Sequence, residues 1–260
     1  MTVKYGKTPA RINSVQLNLS DYFDHTAVLP KIPAEFGHER LVTAWEMLAN
    51  NQVGDCVWAG AAHETMLWGR EAGRDVKFTD ECVLADYTAV TGFDPSQADP
   101  YTGENPTDQG TDMQAAASYR RRIGIVDTLG NRHQVAAYVA LTPGDPDQLA
   151  AAAYVFGAVG IGLRVPAYAE DEFSAKKPWD VRHGNATIVG GHYVPVISRR
   201  DGNFDVVTWG AIQQMTPMFY RRYCDEAIVY FSREFLTADI SPEGFDLAQL
   251  QADLKVFARR

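Results

Sequence analysis

Cys56 is the residue in this sequence best placed to do chemistry. It follows a polar loop, Asn50-Asn51-Gln52-Val53-Gly54-Asp55, and opens an apolar run, Val57-Trp58-Ala59-Gly60-Ala61-Ala62. A thiol at the start of a helix lies at the positive end of the helix dipole, where free N–H groups stabilise a thiolate. The same N–H groups, with a carboxamide from the loop, can hold the oxygen that turns negative when a carbonyl is attacked. Cys82 and Cys224 have no such setting and read as packing residues. A lone cysteine is also an ordinary small core residue, and that reading of Cys56 stays open.

The partner such a thiol needs is an imidazole. His192 begins an apolar run, Tyr193-Val194-Pro195-Val196-Ile197, after Gly190-Gly191, whose missing side chains let another backbone approach. A strand-borne histidine facing a helix-borne cysteine makes the thiolate–imidazolium pair of nucleophilic catalysis. The alternative is a core histidine with satisfied ring nitrogens. His63 lies within the helix that Cys56 opens and reads as a solvated or hydrogen-bonded residue.

Taken in order, these segments resemble the papain family of cysteine peptidases. The sequence offers Gln52 in a loop, Cys56-Val57-Trp58-Ala59 opening the helix, Asp108-Gln109-Gly110-Thr111-Asp112-Met113, a strand entry at 157–163, Gly191-His192-Tyr193-Val194, and Val207-Thr208-Trp209-Gly210. The Gly-Asp-Cys and Thr-Trp-Gly variants look like papain-like proteins of bacteria and their phages. The resemblance implies that Cys56 attacks a carbonyl, that His192 holds and returns the proton, and that Trp209 covers the histidine from water.

Three departures bear on that inference. Gln52 stands four residues before the cysteine instead of the family's six, the place that Asn50 holds here, so either could be the oxyanion donor. Val207 occupies the place of the Asn that orients the family's histidine, and its side chain can neither donate nor accept. Asp205, two residues earlier and on the same strand face, is the candidate replacement. The first 40 residues do not resemble a long helical inhibitory pro-segment.

The elements that must position these groups follow from periodicity. Helices are expected over residues 56–70, 79–90, 112–122 and 147–156, with a long loop at 91–110 crowded with Gly, Pro, Asp and Asn. Beta-rich runs follow at 159–165, 192–198, 204–209 and 227–231. Helices first and strands later point to an α+β fold, which the resemblance makes papain-like, its helical lobe carrying Cys56 and its antiparallel sheet or barrel carrying His192. The expected organisation is an extended arm over 1–40 and one domain over 41–260. That domain divides into a helical part (41–145), a β-rich part (146–235) and a C-terminal helix (245–258).

Totals exclude several function classes. With 260 residues, 46% of them hydrophobic, the chain can bury a large core. A net charge of −9 argues against a polyanionic partner, so no nucleic acid is expected. No run approaches the roughly twenty apolar residues of a membrane span, and no secretory signal is visible, which suggests a cytoplasmic or virion-associated protein. Neither the Gly160/Gly162 pair nor the acids of the long loop has the spacing of a nucleotide or calcium site, and no cofactor or metal is expected. The function expected is a cysteine peptidase or amidase acting on a peptide or protein substrate. The alternative is a catalytically inactive papain-like binding or structural protein, for example one that assembles with phage or host proteins.

Overall fold

The computed structural model describes residues 3–11, 17–19, 32–184 and 186–233. Its central element is helix α1 (Cys56–Glu71), in which every residue from Cys56 to Gly69 is buried. A helix covered on all sides must satisfy its polar residues internally. His63 Nε2 meets Glu46 O at 2.9 Å, and Glu64 pairs with the buried Arg120 at 2.7 Å.

Helix α2 (Asp80–Thr91) ends at Gly92, whose φ of +75° gives the left-handed C-cap that glycine adopts without steric cost. Helix α3 (Met113–Arg122) is capped by Asp112, which accepts from the Ala115 N–H at 2.8 Å. Helix α4 (Pro146–Phe156) starts with proline in its first turn and Asp145 as cap. These bounds match the expected helices closely. Two short helices, α5 (Tyr168–Ser174) and α6 (Pro217–Tyr223), were not foreseen. The expected helix at 245–258 lies outside the described residues.

The strands are β1 (Phe36–Gly37), β2 (Ile125–Val126), β3 (Arg132–His133), β4 (Val135–Ala140), β5 (Val159–Pro166), β6 (Ile188–Arg200), β7 (Asn203–Thr208), β8 (Ala211–Met215) and β9 (Cys224–Ser232). One antiparallel sheet runs in the order β4-β9-β5-β6-β7-β8, with β1 added to β6, while β2 and β3 pair separately. Strand β4 falls in the expected helical part (41–145), between the helices expected at 112–122 and 147–156, where no strand was expected. All six of its residues, Val-Ala-Ala-Tyr-Val-Ala, are apolar or aromatic, so the sequence hides the alternating burial that the strand shows.

The sheet separates two hydrophobic cores. On one side Tyr193, Ile197, Val207 and Ile228 join α1, α2 and α3; on the other Val194, Val196, Phe204 and Val206 join α4 and Trp179. Odd and even residues of β6 and β7 thus face opposite sides, as strand geometry requires. Side-chain carbons at Gly60 of α1 and Gly160 of β5 would overlap Tyr193, so these glycines make the space that lets its hydroxyl reach Glu64. Among the described residues no helix is long and apolar enough to cross a membrane.

Candidate active site

Cys56 is the first residue of α1, and Asp55 before it is the N-cap. The Asp55 carboxyl does not cap the helix; it is buried and accepts from Asn50 Nδ2 at 3.1 Å. Burial holds that carboxyl well above the usual carboxylate range. The first-turn N–H groups of α1 are therefore not taken by the cap side chain. The Cys56 sulfur receives the Tyr193 N–H at 3.4 Å and a second backbone bond from Gly6. Burial pushes the thiol up to about 12, outweighing both bonds, so in this closed arrangement the sulfur is a thiol and not the stabilised thiolate that its helix position suggests.

His192 is also buried. The N–H on the sulfur belongs to Tyr193, the residue that follows His192, so the strand meets the start of the helix at the Tyr193 backbone. The Nε2 of His192 lies 2.7 Å from Thr208 Oγ1, and its buried Nδ1 has no hydrogen-bond partner among the described residues. No hydrogen bond joins ring and sulfur. Burial pushes the imidazole down to about 3, which keeps it neutral.

Trp209 stacks on the imidazole, with ring centroids 4.7 Å apart and planes at 22°. A two-residue hairpin places it there: Thr208 pairs with Ala211, and Trp209 and Gly210 between them have φ of +45° and +72°. Two central residues at positive φ mark the tight turn whose twist suits a β-hairpin.

The residue against His192 differs from the sequence expectation. Asp205 accepts from Ser198 Oγ at 2.9 Å and lies 3.3 Å from Arg200, away from the imidazole. Val207 packs on the helical side. Because side chains alternate along β7, Thr208 projects with Phe204 and Val206 to the side where His192 projects with Val194 and Val196. Thr208 lies on the opposite face of β7 from Val207 and Asp205, and the signal for it is its place in the Thr-Trp-Gly sequence.

The two candidate carboxamides also part company. Asn50 is buried and donates to Val53 O at 3.2 Å and to Asp55, so its amide is used within the loop. Gln52 is exposed, and its carboxamide makes no hydrogen bond among the described residues. Gly54, between them and the cysteine, is fixed from the long loop: its N–H donates to Asp108 at 3.0 Å, and Asp108 also accepts from Tyr87 Oη at 2.6 Å.

The cleft over the sulfur is filled by residues 4–8 of the chain. The Lys4 N–H donates to Asn50 O at 3.2 Å, Thr111 N to Gly6 O at 2.6 Å, Lys7 N to Gly191 O at 3.0 Å and Thr8 N to Thr111 O at 3.1 Å. Tyr5 packs T-shaped against His192, and its hydroxyl donates a hydrogen bond to Glu170 Oε1 at 2.5 Å. A side-chain carbon at Gly6 would overlap the Gly54 carbonyl, so only glycine fits over the sulfur. This strap offers the thiol an N–H, while the Gly6 carbonyl oxygen is held by Thr111. No sequence pattern announced it.

No protein-family model matches the chain, and no curated protein matches it. Solved structures do. Xylellain, a cysteine protease from Xylella fastidiosa, shares 13% identity at a TM-score of 0.59, covering 88% of this chain and 96% of that one. A procathepsin B from Trypanosoma congolense shares 12% identity at 0.62, covering 88% and 87%. A digestive procathepsin L from the larval midgut of Tenebrio molitor shares 14% at 0.55, covering 84% and 76%. The fold is that of the papain-like cysteine proteases, and the resemblance read from the sequence holds at the level of architecture.

Proposed function

We propose that the chain is a cysteine-type hydrolase of peptide or isopeptide amides, described here with its cleft closed. The observation that carries this reading is the meeting of Cys56, at the start of a buried helix, with the His192–Tyr193 segment of the sheet. Displacing the strap admits solvent and substrate and removes the burial that now keeps thiol and imidazole neutral. His192 then takes the Cys56 proton, and the thiolate adds to the substrate carbonyl carbon. The Cys56 N–H and the Gln52 carboxamide receive the oxyanion. His192 returns the proton to the leaving amine as the C–N bond breaks, and water, deprotonated by His192, releases the acyl group from sulfur. Thr208 holds the imidazole from its far nitrogen, and Trp209 covers it.

The second reading, a papain-like scaffold that binds without hydrolysing, is favoured by a hydroxyl in place of an amide at Thr208 and by the filled cleft. Fluorogenic peptides assayed with Gly6→Val, in which the strap cannot seat, separate the two. Turnover that disappears in the Gly6→Val/Cys56→Ser chain is the result expected of a hydrolase. Absence of turnover in Gly6→Val, with Cys56 shown to be accessible, favours the scaffold.

A further inference from the structure

The strap does more than cover a sulfur, because one of its side chains enters a pocket. Lys7 has a side chain only 1% exposed, and its Nζ lies 2.9 Å from Asp225 Oδ1 and 3.0 Å from Glu226 Oε2. The Nζ also donates to Thr8 O at 3.1 Å. The stem of Lys7 runs across Gly162, where any side chain would overlap its Cε. Met113 closes the wall, since its sulfur also borders the space above Gly162.

Backbone and side chain are recognised separately here. Gly191 and Thr111 grip the strap through main-chain bonds that any sequence can make, forming a parallel bridge at Lys7. The pocket reads only the side chain. A lysine is rarely buried unless it is paired, and two carboxylates facing each other without a cation would repel. Burial is the main influence raising Glu226, and Lys7 opposes it, so the pocket is built around a positive charge.

We propose that the pocket formed by Gly162, Asp225 and Glu226 is a specificity pocket for a lysine or arginine side chain. It reads the residue next to the one lying over Cys56, so that the cleft selects basic peptides. Lys7 occupies the place of that side chain while the strap is seated. The proposal rests on reading the cleft as a peptide-binding site, and it needs no assumption that hydrolysis follows.

The test is a binding measurement on the full chain carrying Lys7→Glu, which sets a third carboxylate in the pocket and expels the strap. Two blocked peptides are titrated and followed by tryptophan fluorescence: the strap sequence Lys-Tyr-Gly-Lys-Thr, and the same with Met for the second Lys. The lysine peptide is expected to bind at least about tenfold more tightly, and the gap to vanish when Asp225→Asn and Glu226→Gln are added. Equal affinities, or binding of neither peptide, overturn the proposal. Should Lys7→Glu fail to fold, Gly6→Val expels the strap and leaves the pocket unaltered. A retained preference without turnover would sink the catalytic reading and leave this one standing.

Discussion

The Tyr193 hydroxyl donates to Glu64 Oε1 at 2.6 Å, and this buried bond, with the Tyr193 N–H on the Cys56 sulfur, ties the helix that begins at Cys56 to the strand that carries His192. Glu64 is held in turn by Arg120, whose guanidinium lies 3.9 Å from the centre of the Tyr230 ring. Glu64→Leu leaves Arg120 buried without its counter-charge and is expected to cost about 3–5 kcal/mol in denaturant unfolding. Tyr193→Phe should cost about 1–3 kcal/mol. Combining Glu64→Leu with Arg120→Met should recover much of the first loss, because the buried charge is then gone. A double variant no more stable than Glu64→Leu would contradict this account.

Among the described residues Thr208 is the one hydrogen-bonding group against the His192 ring, so its removal should be felt first in the orientation of the imidazole. Thr208→Val keeps the shape and leaves Nε2 buried and unpaired, a loss of about 1–3 kcal/mol in stability. In the strap-free chain it should lower kcat about tenfold or more with little change in KM. Thr208→Ser should restore both, and Asp205→Asn should leave kcat alone. A kcat drop in Asp205→Asn without one in Thr208→Val would return the orienting role to Asp205.

How far the sequence carried this picture depended on whether the information was local. The helix of Cys56 was legible because an unbroken apolar run and small residues fix a buried helix, and Asp112 and the Pro146-Asp147 pair mark helix starts by chemistry alone. His192 was legible as a strand residue after two glycines, although β6 begins earlier, at Ile188, so that both glycines lie within the strand. Thr208 was within reach but required the parity of β7 relative to β6, which a strand run shows only once its partner is known. The strap was not legible: Gly6 and Lys7 owe their roles to Gly54, Gly162, Asp225 and Glu226, all distant in sequence. Asp108 stood in the segment 108–113 that carries part of the resemblance, but that its carboxylate secures Gly54 was likewise hidden, because Gly54 is distant in sequence.

Thiol reactivity reports whether the strap is seated. With residues 4–8 in place, Cys56 and Cys224 are both buried and both pushed up to about 12, while Cys82 is half-buried. Iodoacetamide at pH 8 is therefore expected to label Cys82 first in the intact chain. Gly6→Val should raise the rate at Cys56 roughly tenfold or more, because exposure restores the effect of the helix N-terminus, and leave Cys82 and Cys224 as they were. Mass spectrometry of labelled peptides reads all three sites at once. Rapid labelling of Cys56 in the unaltered chain would show that the strap does not seal the cleft.

Buried histidines set the sign of the acid response. Burial pushes His63 down to about 4 and His192 down to about 3, both from an ordinary value of 6.5. Below pH 6.5 the unfolded chain takes up protons that the folded chain refuses, so this part of the stability is fully present above pH 6.5 and is lost as pH falls toward 4. Asp55, Glu64, Glu71, Asp205 and Glu226 are all raised by burial and act with the opposite sign, weakening the fold as pH rises through the carboxylate range. The histidine contribution is isolated by comparison with His63→Gln, whose amide can still donate to Glu46 O. Between pH 6 and pH 4.5 the wild-type chain should lose about 1.4 kcal/mol per pH unit more than the variant. Urea midpoints at four or five pH values, with unchanged slopes, would measure it. Parallel curves would mean that His63 is protonated in the folded chain, which its complete burial opposes even though the Glu46 carbonyl favours the proton.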